Sequence, residues 1–149
     1  MTIWNKLKHF KPSENWGNPE KINGLLLLLL DEITDRVKKA AKEEEEAAIC
    51  VIHCAYDKSG HAANSQHYKG NAVDFSIRGG FSAKKSHQII LQTLKDWQLE
   101  DKVGLGVYPD WFNQGFHLDV RGEKARWVEH LGKYHYDDLH IQQYLKLLK

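Results

Sequence analysis

The chain has 149 residues, enough for one domain (1–149) built around a single core and too few for two independent cores. With 21 Lys and Arg against 20 Asp and Glu, its formal charge of +1 excludes a strongly electrostatic nucleic-acid or anionic-membrane binder. A hydrophobic content of 42% excludes a disordered chain, and the outlying residue is histidine, present in nine copies although it is both a metal ligand and the side chain that titrates near neutrality.

The N-terminal stretch lacks the basic region, apolar core and small-residue cleavage site of a secretory signal, so synthesis in a cytoplasm is expected. Asn18-Pro19-Glu20 supplies a helix start, and a helix is predicted over about 19–42. Its leucines, Leu25 to Leu30, cover every face and predict deep burial, but they fall far short of the roughly 20 residues that cross a bilayer, so no membrane insertion is expected. Glu43 to Glu46 read as a solvated helix end. Ala48 to Ala55 reads as a buried strand and Asp57 to Asn64 as a loop. Cys50 and Cys54 would stand roughly 13 Å apart on an extended strand, beyond disulfide reach, and without a C-x-x-C spacing the pair makes a poor zinc site.

In Ala72 to Arg78 the apolar Val73, Phe75 and Ile77 alternate with Asp74, Ser76 and Arg78, the pattern of a strand with one face on a core. Ser82 opens a helix over about 83–97, and a strand follows near 104–108. Gly115 to Arg121 repeats the alternation, turning Phe116, Leu118 and Val120 inward and His117, Asp119 and Arg121 to the other face. The rest, from Arg126 to Lys149, reads as a turn and a closing helix.

Two strands thus each offer a metal ligand from their polar faces, Asp74 and His117. A third candidate, His67, lies just before a tight Gly70-Asn71 turn that can bring it alongside Asp74. Two imidazoles and a carboxylate with a fourth position open is the donor set of catalytic zinc, whereas three solvated polar residues would carry no chemistry at all.

The run Ser65-x-His67-x-x-Gly70-x-Ala72-x-Asp74, followed by Phe116-His117-x-Asp119-Val-x-Gly122 and Arg126-Trp127, resembles the signature of peptidase M15, the zinc D-Ala-D-Ala carboxypeptidases and murein peptidases. That resemblance covers about Ile49 to Trp127. It implies an α+β fold shared with the Hedgehog signalling domain, in which a small antiparallel sheet flanked by helices carries the metal. It also implies Zn2+ held by His67, Asp74 and His117, Ser65 beside the metal as a substrate contact, and hydrolysis of peptide bonds in peptidoglycan stem peptides or crosslinks.

Many members place an acidic general base three residues before the last histidine ligand, where this chain has Gln114. The candidate bases are therefore Asp119, on the same strand face as His117, Asp110 on the Tyr108-Pro-Asp-Trp-Phe loop, and His61. For Asp119 the alternative is a supporting role, orienting a ligand or pairing with Arg121. Where members carry an arginine that grips a terminal carboxylate, this chain has Ala55-Tyr56-Asp57, which turns attention to Arg78 or Arg121 as anchors and to internal peptide bonds as targets. His53 is expected to be a satisfied core residue, Trp127 to pack, and Trp111 to line the cleft.

Two functional classes follow. One is a monomeric zinc peptidase acting on peptidoglycan peptides, with no nucleic-acid partner, reaching the cell wall after release from the cytoplasm as a phage or prophage lysis enzyme would. The other is a binding module of the same fold that keeps the metal without turnover, favoured by the missing acid at 114 and the missing arginine near 57. No His-Glu-x-x-His, G-x-S-x-G or phosphate loop supports a third class.

Overall fold

The computed structural model describes residues 2–149. Three helices, α1 (Gly24–Glu43), α2 (Ala83–Asp96) and α3 (Asp138–Leu145), accompany six strands. The strands are β1 (Ile49–Cys54), β2 (Ala72–Arg78), β3 (Gly104–Tyr108), β4 (Gly115–Asp119), β5 (Ala125–His130) and β6 (Lys133–His135). They form one sheet in the order β1-β2-β4-β3-β5-β6, antiparallel except where β3 runs parallel to β5. The α+β class is as expected, but the sheet is mixed rather than purely antiparallel.

The first long helix starts later than its proline suggests. Asn18 and Pro19 open only a short 3-10 turn, and α1 begins after Asn23, whose side chain accepts from the backbone N–H groups of Leu25 and Leu26. Within the leucine run, Leu26, Leu27, Leu29 and Leu30 are fully buried, while Leu25 and Leu28 sit on the outer face and stay partly exposed. A three-residue spacing places those two on one side of the helix, so the run is a wide apolar stripe rather than a buried cylinder. Ser82 caps α2 by accepting from Lys85 N–H, as its position predicts.

The other departures lie near the C-terminus. Arg126 to Lys149 contains a strand pair, β5 and β6, before the last helix. β5 extends the sheet beyond β3 and turns Trp127 onto the same face as the candidate ligands, because Gly106 is the partner of both His117 and Trp127.

Alternation sorts the two faces of the sheet. Val73, Phe75, Leu105, Val107, Phe116, Leu118 and Val128 join the leucines of α1 and Ile90 and Leu94 of α2 in the main core. The opposite face carries two cross-strand rows. One runs Asp74, His117, Gly106, Trp127, and the other Ala72, Asp119, Gly104, Ala125. Ala72 and Gly104 thus flank Asp119, and Gly106 stands beside His117, leaving room for side chains to lie across the sheet.

Candidate metal centre

Each of the three expected ligands reaches the site by a different device. Ser65 caps a short 3-10 turn, Gln66–Lys69, by accepting from His67 N–H, and Gly70 ends that turn at φ 71°, a left-handed conformation that favours glycine. This is the turn that Gly70-Asn71 was expected to make, and it returns the chain into β2 with His67 over Asp74. Asp74 and His117 are direct partners on adjacent antiparallel strands.

Donor atoms converge as a result. His67 Nε2 lies 3.3 Å from Asp74 Oδ2, and His117 Nδ1 lies 2.9 Å from Asp74 Oδ1. One donor atom from each of the three residues falls within 4.8 Å of the others. His67 and His117 are buried, and Asp74 is nearly so.

Ring orientations are fixed from behind. His67 Nδ1–H donates to the Ala55 carbonyl at 2.7 Å, which leaves Nε2 as the nitrogen facing Asp74. His117 Nε2–H donates to Asp119 Oδ2 at 2.7 Å, which leaves Nδ1 facing Asp74. A carboxylate or carbonyl behind each imidazole is the support that metal-ligating histidines receive.

The electrostatics follow from the same contacts. Burial works against a charged His67, but the Asp74 carboxylate, with Cys54 and the Ala55 carbonyl, outweighs it and holds the imidazole at about 10. His117 is likewise raised against its burial by Asp119 and Asp74. Burial would raise Asp74, yet His117 and His67 hold it well below the usual carboxylate range. The donor set, two imidazole nitrogens and a carboxylate in a partly solvated pocket, suits a borderline divalent cation such as Zn2+.

The candidate bases separate cleanly. Asp119 has no exposure at all and is saturated, taking His117 Nε2–H, Arg121 Nε–H and Nη2–H, and the backbone N–H groups of Gly104 and Arg121. It stands behind His117 and does not line the cleft, a placement that suits orienting the His117 ring. Asp110 is also displaced from the site. Its carboxylate accepts from Leu131 N–H and pairs with His130, tying the 109–114 loop to the β5–β6 turn. His61 alone of the three lines the cleft, stacked on His67 with ring centroids 4.4 Å apart.

The cleft over these ligands has a volume of about 660 Å³. Ser65 and Arg121 line it, whereas Arg78 does not. Arg78 stands four residues beyond Asp74 on β2, about 13 Å along the strand, and is exposed at that end of the sheet. Trp111 is likewise outside, stacked on Tyr108 and edge-on to His53. His53 is half-buried rather than a core residue, and it is satisfied by a 2.8 Å hydrogen bond with Ser76 Oγ.

Trp127 does more than pack, because it lines the cleft against His117 at 4.9 Å between ring centroids. Tyr108, Tyr134 and Tyr136 complete an aromatic wall. Sequence reasoning misses Tyr134 and Tyr136 because β6, which carries Tyr134 and ends just before Tyr136, has only three residues and no alternation to announce it. Gln114 has a structural occupation, donating to the carbonyls of Pro109 and Leu147 and accepting from Lys149 N–H.

Among the described residues no helix is long and apolar enough to cross a membrane. No family model, curated protein or solved structure matches the chain.

Proposed function

We propose that this chain is a zinc-dependent peptidase of the Hedgehog/DD-peptidase-like fold, hydrolysing peptide bonds in peptidoglycan stem peptides or crosslinks. The observation that carries the reading is the aim of the two imidazoles. His67 Nε2 and His117 Nδ1 both face Asp74, while Ala55 O and Asp119 fix their other nitrogens. The resemblance of Ser65 to Asp74 and of Phe116 to Gly122 to the peptidase M15 signature supplies the substrate class.

His67, Asp74 and His117 would hold the cation, which when bound supplies Lewis acidity at a scissile carbonyl and acidifies a water. The chain's own residues do the rest. Tyr108, Trp127, Tyr134 and Tyr136 give an extended peptide an apolar wall to lie against, and Arg121 adds positive charge at its edge. Asp119 and Arg121 keep the His117 ring from rotating. His61, beside His67 and within 3.2 Å of Asp57, lines the same cleft. Action at the cell wall after release from the cytoplasm, as a phage lysis enzyme, is part of the same proposal.

One observation favours the second reading, a metal-containing peptide-binding module. Asp74 is the sole acidic side chain among the described residues lining the cleft, so no carboxylate base stands over the ligands. Zinc-loaded protein incubated with peptidoglycan decides between the two. The peptidase releases new amino groups, and Asp74→Ala and His67→Ala abolish the release. Metal-dependent pelleting with peptidoglycan and no amine release from the wild type would replace the enzyme with the binding module.

A further inference from the structure

A second cluster of donor atoms lies beside the first. Strand β1 carries a bulge between Ile52 and Cys54, which brings Cys54 opposite Asp74 and so onto the cleft face of the sheet. Cys54 Sγ lies 3.6 Å from His61 Nε2 and 3.7 Å from Asp57 Oδ2, and the same His61 Nε2 lies 3.2 Å from the same Asp57 Oδ2. We propose that Cys54, Asp57 and His61 form a second metal site for zinc or a cation of similar softness, distinct from the His67–Asp74–His117 centre.

The triangle has the right size. Tetrahedral zinc, with bonds of about 2.0 Å to nitrogen or oxygen and 2.3 Å to sulfur, separates its ligands by about 3.3–3.6 Å. The shared nitrogen also distinguishes this cluster from a nucleophile triad. In a Cys-His-Asp triad the thiol and the carboxylate engage different imidazole nitrogens, so that one can relay what the other orients. Here sulfur and carboxylate face one nitrogen, so three donors point at a common centre.

The donors are also braced. Tyr68 Oη accepts from His61 N–H and donates to the His61 carbonyl, at 2.8 and 2.7 Å. Asp57 Oδ1 is occupied by Lys58 N–H, which leaves Oδ2 for the cluster. His67 Nδ1 lies 3.8 Å from Cys54 Sγ, but its proton is committed to the Ala55 carbonyl, so Asp57 and not His67 is the third ligand. Binding displaces the Cys54 thiol proton to solvent and leaves a fourth coordination position open. A thiolate in the set selects zinc-like cations over calcium and magnesium. An occupied site pins the 57–64 loop to the end of β1 and so fixes one wall of the cleft.

Cobalt(II) tests this independently of any peptidase activity, because the His67–Asp74–His117 centre contains no sulfur. Titrating the full chain with Co2+ should give a thiolate-to-cobalt charge-transfer band in the near ultraviolet, which Zn2+ bleaches. The band should persist in Asp74→Ala and in Cys50→Ala, since Cys50 is buried with its thiol pushed up to about 12 by that burial. It should vanish in Cys54→Ser and weaken strongly in His61→Gln, a loop substitution that serves if the strand variant fails to fold. Absence of the band, its survival in Cys54→Ser, or its loss in Asp74→Ala would each overturn the proposal, the last by placing Cys54 in the first centre.

Discussion

Asp119 approaches His117 at 2.7 Å on the ring nitrogen that does not face Asp74, so the two carboxylates bracket one imidazole. Removing the inner carboxylate frees the ring while leaving all three ligands in place. Asp119→Ala should therefore lower zinc affinity by about 10–100-fold, read by competition with a chromophoric chelator, and Asp119→Asn should lower it less. The same variants strip Arg121 of its partner, so the Tm should fall as well.

Gly104 is the backbone counterpart of that interaction. Its N–H donates to Asp119 Oδ1, and a Cβ built on it would meet the carboxylate oxygens at 2.5 and 2.7 Å. Gly104→Ala must push Asp119 away from His117. We expect a loss of about 1–3 kcal/mol in chemical denaturation together with weaker zinc binding, although residue 104 touches no ligand. Unchanged zinc affinity in a folded Gly104→Ala protein would show that Asp119 is not what orients His117.

Gln114 occupies the position where the peptidase M15 resemblance calls for an acid, which makes Gln114→Glu the obvious attempt to strengthen catalysis. The structure argues against it. A carboxylate would replace an amide that donates to both Pro109 O and Leu147 O, setting oxygen against oxygen. The expected outcome is a destabilisation of about 1–2 kcal/mol and no rise in amine release from peptidoglycan.

His87 governs part of the acid sensitivity. Burial in the first place, and Arg126 in the second, pull its imidazole down to about 4. The unfolded chain, with a histidine near 6.5, binds the proton first. The stability of the neutral, folded form is therefore complete above about pH 6.5 and is lost as the pH falls toward 4. For this partly exposed ring the loss is on the order of 2 kcal/mol. His87→Gln should flatten the dependence of unfolding free energy on pH across that window and leave it unchanged above pH 7.

Much of the site was legible because alternation in β2 and β4 is strong. Val73, Phe75, Phe116 and Leu118 mark the core face and thereby expose Asp74 and His117. Alternation reports a face and not a depth, however, which is why Asp119 could be placed beside His117 but not recognised as sealed beneath it. The C-terminal hairpin escaped because β5 carries polar residues at both faces and β6 is too short to show a period. Cys54 was hidden by a bulge, since one extra residue reverses the face that the spacing from Cys50 implies. The late start of α1 was missed because Pro19 is an equally good opening for a 3-10 turn.

The two strands that carry Asp74 and His117 are interior to the sheet, each paired on both sides, whereas His67 sits on a short turn closed by Gly70 and is tied to Ala55 and Asp57. Two of the three ligands thus belong to ladders in the middle of the sheet, and the third to a short turn outside it. Differences in ionic radius between cations should fall first on that turn. Exchange of one metal for another should therefore begin with His67 letting go, at a rate set by the Gln66–Lys69 turn and not by the sheet.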